Sequence, residues 1–111
     1  MNVYDTANKL ALEIKTSEEY IQYKKIKEEI EKNLDLKSKV QEFGKIRQEV
    51  QMMSLKGETP EKEKTEKVQS MYMQLIQDEK IKNYFDLELK FSVMIADINK
   101  IISEALKDII V

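Results

Sequence analysis

Apolar residues return every three or four positions along almost the whole of this 111-residue chain, the spacing of one face of a helix. The first series is Val3, Ala7, Leu10 and Ile14. The second is Tyr20, Tyr23, Ile26 and Ile30, with Ile21 alongside and inward. A third runs Leu36, Val40, Phe43, Ile46, Val50 and Met53, and a fourth runs Val68, Met71, Tyr72, Leu75 and Ile76. Two glycines and one proline are too few for the many turns of a sandwich or barrel. The length suits one modest core. The expected fold is all-α: an antiparallel helical bundle of four to five helices with a long C-terminal helix, one helical domain over residues 1–111.

Punctuation between the series places the breaks. Thr16 and Glu19 have the spacing of a capping box, so a second helix is expected to start near Ser17. Asn33-Leu34-Asp35 is a short break in which Asn or Asp can cap the next helix, expected over about Leu36 to Lys56. Gly44 lies inside that helix, and close packing against a neighbouring helix is the expected reason. Gly57 is the expected left-handed terminator, and Thr59-Pro60 an N-cap followed by proline at the first helical position. The charged run Glu61 to Lys67 predicts a solvated, frayed opening to the fourth helix. Asp78 either caps a fifth helix or lies at a kink in a continuous one.

The last helix carries more apolar surface than one face needs. Tyr84, Phe91, Ile98 and Ala105 recur every seven residues, as do Leu87, Met94 and Ile101, and Ile95, Ile102 and Ile109 widen that stripe. A second series, Phe85, Leu89, Val93 and Ala96, is spaced 4, 4 and 3. Leu89 stands about 160° from Phe91 around the helix. A helix of roughly thirty residues also extends about 45 Å, against about 30 Å for the third. Part of it is therefore expected to overhang the bundle, covered by a second copy in a homo-oligomer, with a two-fold dimer the expected form. A central helix enclosed by the other four is the alternative. Phe85, Leu89, Val93 and Ala96 are the candidate oligomer interface. Met52 and Met73, off the main stripes and adaptable in shape, are the candidate contacts for a protein partner.

Composition removes most catalytic and cofactor chemistry. There is no Cys and no His, hence no disulfide, thiolate nucleophile, iron–sulfur ligand or imidazole base. Pairs such as Glu28 with Glu31 and Glu63 with Glu66 share helix faces, but a bundle di-metal site also wants Glu-x-x-His motifs. No glycine-rich phosphate loop is present. No catalytic residue, metal, cofactor or enzymatic activity is therefore expected. Nineteen basic and twenty-one acidic residues give a net charge of −2, and Arg47 is the only arginine. Nucleic-acid binding is thus not the expected role. The Lys37, Lys39, Lys45 and Arg47 face is its one candidate, as an accessory RNA-binding surface. The opening fifteen residues lack an uninterrupted apolar core, and the stretch from Phe91 onward is broken by Asp97, Lys100, Glu104, Lys107 and Asp108. No leader or membrane span is expected, and the cytoplasm is the expected compartment.

Several segments together resemble the bacterial YlbF/YmcA/YheA family. They are Val3-Tyr4-Asp5-x-Ala7 with Leu10, then Ser17-x-Glu19-Tyr20, and the turn Gly57-Glu58-Thr59-Pro60. The closing Phe91-Ser92-Val93-Met94-Ile95-x-x-Ile98-x-x-Ile101-Ile102 is similar to the YheA-type branch of small, uncharacterised proteins. The resemblance spans nearly the whole chain and implies an all-helical, cytoplasmic, oligomeric protein. In the YlbF and YmcA branches it implies a regulatory subunit that assembles with a further protein, acts in competence, sporulation and biofilm development, and modulates an endoribonuclease in messenger RNA processing. The cysteine-held iron–sulfur cluster of some relatives does not carry over to a chain without cysteine. The resulting expectation is a non-enzymatic regulatory or scaffold subunit that oligomerises and binds a protein partner of unspecified identity.

Overall fold

The computed structural model describes residues 2–109; positions 1, 110 and 111, the outer ends of the expected domain, lie outside the described residues. Among these residues five helices follow one another: α1 (Val3–Lys15), α2 (Glu18–Glu31), α3 (Leu34–Leu55), α4 (Lys62–Leu75) and α5 (Glu79–Leu106). Among the described residues there is no strand, and no helix is long and apolar enough to cross a membrane.

The helix ends show how short side chains cut a continuous periodic pattern into elements. The Asn2 side chain accepts the Tyr4 N–H at 2.7 Å and starts α1. The Thr16 hydroxyl donates to the Leu12 carbonyl at 3.0 Å, so it closes α1. Ser17 is the residue that opens α2: its Oγ accepts the Tyr20 N–H at 3.2 Å and donates to the Ile14 carbonyl at 2.6 Å. The expected Thr16–Glu19 capping box is corrected accordingly. Thr16 is committed to the preceding turn, which leaves the adjacent hydroxyl to cap. Asn33 caps α3 through the Leu36 N–H at 3.2 Å.

Gly57 terminates α3 with φ of 78°. Its N–H donates to the Ser54 carbonyl at 3.1 Å, and the Glu58 N–H donates to the Met53 carbonyl at 2.9 Å, the paired bonds of a Schellman ending. Thr59-Pro60 does not start α4. Glu61 keeps an extended backbone, with φ −59° and ψ 136°, and the helix begins at Lys62 without a side-chain cap. Asp78 settles the open question downstream: its Oδ1 accepts the Lys80 N–H at 2.9 Å and the Ile81 N–H at 3.2 Å, so α4 and α5 are separate helices. The packing role expected of Gly44 is not observed, because a Cβ there would meet nothing within 4 Å.

The chain groups into two compact units. Unit 1 is drawn from the residues up to Ile26 and from Tyr84 onward, and unit 2 from Lys27–Asn83. Unit 2 is built on the antiparallel α3–α4 hairpin. Phe43 meets Tyr72 with ring centroids 6.2 Å apart. Six residues further along α3, Glu49 pairs at 3.6 Å with Lys64, eight residues back along α4. Ile30, Leu36, Phe43, Leu75 and Ile81 are its buried core. Unit 1 is centred on rings from α2 and α5. Tyr23 lies 5.5 Å from Phe91 and 5.6 Å from Tyr84, and Tyr20 lies 6.1 Å from Phe91. Its buried residues are Ile26, Tyr84 and Phe85. Ile21, expected alongside them, is exposed instead.

Candidate interaction site

The helical stripe of α5 is only partly covered. Tyr84 is buried, and Leu87, Phe91, Met94, Ile95 and Ile98 are half-buried. Beyond Ile98 the same stripe reaches solvent: Ile101 is 70% exposed, and Ile102, Leu106 and Ile109 are exposed too. The second series divides. Leu89 is 64% exposed and Val93 50% exposed, and Ala96 is exposed as well. Phe85 is a correction, because at 8% exposure it is a core residue whose ring lies 5.6 Å from that of Tyr84. Its own chain already covers it, so it offers little surface to a second copy.

Leu89 and Val93 stand one helical turn apart beside an open groove of about 650 Å³ in unit 1. Leu87 and Met94 also line it, and Glu18, Glu19, Lys90 and Asp97 supply its charged groups. α1 belongs to the same unit and has no buried residue. Its Leu10 and Ile14 are half-buried, while Val3, Tyr4 and Leu12 stand in solvent. Periodicity singles out the stripe Val3, Ala7, Leu10 and Ile14 correctly as an amphipathic face, yet little of this chain covers it. The exposure of α1 was not foreseen from the sequence. The signal available was its 13-residue length together with Tyr4 and Leu12 lying off that stripe.

Met52 is 46% exposed and Met73 59% exposed. The hairpin does not bring them together. Met73 follows Tyr72, which is level with Phe43, whereas Met52 lies nine residues further along α3, about 13 Å away along the axis. Met52 borders a shallow groove of about 390 Å³ with Lys45, Met53, Lys56 and Lys64.

The four basic residues expected to share a face of α3 are instead spread around it, about 80° or more apart, and two of them have local partners. Lys39 pairs with Asp35 at 3.3 Å, and the Arg47 guanidinium lies 5.3 Å over the Phe43 ring. The glutamate pairs singled out from the sequence, Glu28 with Glu31 and Glu63 with Glu66, are exposed. Among the described residues no cluster of three or more acidic side chains is arranged to hold a metal ion. A cleft of about 330 Å³ in unit 2 is lined by Leu36, Met71, Leu75 and Ile81 with charged neighbours at its mouth, including Lys39, Glu42 and Asp78.

The family described as control of competence regulator ComK, YlbF/YmcA, matches residues 3–107 of this chain. A UPF0342 protein of Halothermothrix orenii is 36% identical over 102 residues, which cover 92% of this chain and 86% of that relative. Another, from Caldicellulosiruptor saccharolyticus, is 37% identical over 109 residues, covering 96% and 91% of the two chains. The solved structure of a protein of unknown function (DUF964) from Bacillus stearothermophilus matches with a TM-score of 0.81 over 96% of this chain and 93% of that one. At 21% identity, that likeness speaks for the fold alone.

Proposed function

The chain belongs to the YlbF/YmcA family, described by control of a competence regulator, and on that premise we propose that it is a non-enzymatic regulatory subunit. In this reading it pairs with its own copy in the cytoplasm and offers further surface to a protein partner in developmental control or RNA processing. The family description names the control of a regulator rather than a reaction. The absence of Cys and His removes the thiolate nucleophile, the commonest general base and the commonest metal ligand from the whole chain.

The observation that carries the reading is the apolar surface left open in unit 1. Among the described residues, Val3, Tyr4 and Leu12 of α1 and Leu89, Val93, Ile101 and Ile102 of α5 are all exposed. A single exposed leucine needs no explanation, but repeated apolar residues at helical spacing point to an interaction face. Leu89 and Val93 are the proposed oligomer contact, with Ala96 completing it. α1 supplies the larger apolar face for a partner, and Met52 and Met73 are separate, smaller contacts.

Light scattering after size exclusion tests the oligomer. The expected mass is twice the 13.1 kDa of the chain at tens of micromolar, and a mass of 13.1 kDa would overturn the reading. Leu89→Glu with Val93→Glu is expected to dissociate the dimer while leaving the far-ultraviolet helical signal intact. Unfolding of that variant would show instead that α5 is enclosed. Single-stranded RNA should show no salt-sensitive binding. A steep fall of RNA affinity with salt, abolished by Lys37→Glu with Lys45→Glu, would replace the protein-partner reading with the RNA-binding one.

A further inference from the structure

We propose that α5 pairs antiparallel with α5 of a second copy, with the two-fold axis passing at Val93. The proposal deepens the homo-oligomer reading and rests on it. It adds what that reading lacks, namely a direction and a register.

Both follow from the charge order along one face of α5. Asp86 stands seven residues before Val93 and Lys100 seven residues after it; Lys82 stands eleven before and Glu104 eleven after. At about 100° per residue, each of these four lies within roughly 20° of Val93 around the helix. Leu89 and Asp97 lie about 40° to either side of Val93, and Ala96 and Lys90 about 60°. The face therefore reads Lys, Asp, Lys on one side of Val93 and Asp, Lys, Glu on the other, and all of these residues, Val93 included, are exposed.

Turning such a helix end over end about Val93 sets four of the six charges level with an opposite charge and the other two close to one. Asp86 comes level with Lys100 of the second copy, and Lys82 with its Glu104. Lys90 falls one residue from level with Asp97 of the second copy and on the same edge of the contact, the edge where the groove opens with Glu18 and Glu19. Because the operation is two-fold, every pair occurs twice. A parallel pairing in register does the reverse: it sets Asp86 against Asp86 and Lys100 against Lys100. Self-complementarity under a two-fold rotation is what an isologous interface requires. The apolar residues Leu89, Val93 and Ala96 supply the attraction at the centre. The flanking charges choose orientation and register, as the charged edges of helix pairs do, rather than supplying strength.

A chain without cysteine makes the register directly testable in the full-length protein. Under mild oxidation Val93→Cys is expected to form a disulfide-linked dimer almost completely, since a residue on the axis faces its own copy. Asp86→Cys alone and Lys100→Cys alone are expected to link slowly, and their mixture to link rapidly as a heterodimer. Asp86→Lys and Lys100→Asp are each expected to weaken the dimer about 3- to 10-fold, and the double reversal to restore it. If the unmodified chain is dimeric but Val93→Cys stays reduced, or Asp86→Cys links to itself, or the double reversal fails to rescue, the register is overturned and the oligomer reading stands. If the unmodified chain is a monomer, both fall.

Discussion

Among the described residues, unit 1 leaves ten large apolar side chains exposed, from Val3 to Ile109, and buries three, whereas unit 2 exposes five and buries five. The two draw on the same helical periodicity, so the difference lies in what each helix finds to pack against. In unit 2, α3 and α4 are joined by a closed turn at Gly57 and lie antiparallel, which brings Phe43 and Tyr72 together. In unit 1, α1 buries nothing, and α5 outruns its own cover beyond Ile98. Unit 2 thus covers most of its apolar side chains within its own chain, and unit 1 leaves more of its own in solvent.

The largest expected effect separates the units outright. Ile81→Ala, at the most deeply buried side chain of unit 2, is expected to destabilise the chain by about 2–5 kcal/mol in urea titration. Leu89→Ala in unit 1 should change the stability of the isolated monomer by less than about 0.5 kcal/mol. Equal losses at the two sites would show that Leu89 is held by its own chain as firmly as Ile81. Gly57→Ala comes next, at about 1–2 kcal/mol, because its φ of 78° suits glycine and the hairpin of unit 2 depends on that turn. Asp78→Ala removes the acceptor for two amides at the head of α5 and should lower stability by about 1 kcal/mol. Gly44→Ala is the smallest and has the opposite sign. With open space around it, the change should raise stability by about 0.5–1 kcal/mol, read as an increase in the urea midpoint.

Concentration sharpens the same contrast. If a second copy covers unit 1, the melting temperature should rise with protein concentration, and Leu89→Glu should abolish the rise. Hydrogen exchange should in turn find the amides of α1 among the least protected of the helices, with those of α3 and α4 protected most.

The helices and most of their ends were legible because they are local. Residues such as Asn33, Gly57 and Asp78 act on their own neighbours within a turn, so their chemistry can be read where it stands. Thr16 and Ser17 show the limit: the spacing to Glu19 pointed to Thr16, but its hydroxyl bonds back to Leu12 and the neighbouring Ser17 caps α2 instead. The candidate site was legible in azimuth but not in extent. Periodicity placed Phe85 with Leu89 and Val93 on a common side of α5. It could not show that cover reaches Phe85 and stops before Leu89, since that depends on residues distant in the chain. Gly44 was misread for the same reason, because a neighbour's distance is not written in the helix that carries the glycine.

The emptiness of α1's interior has a consequence for how this chain can diverge. A helix that buries no side chain places few demands on its own sequence, and substitutions at Val3, Tyr4 or Leu12 should alter folding stability little. Its apolar character is then free to drift unless something outside the chain selects for it. Relatives in which those three positions turn polar with little loss of stability would show that folding does not hold them apolar, and relatives that all keep them apolar would point to selection from outside the chain.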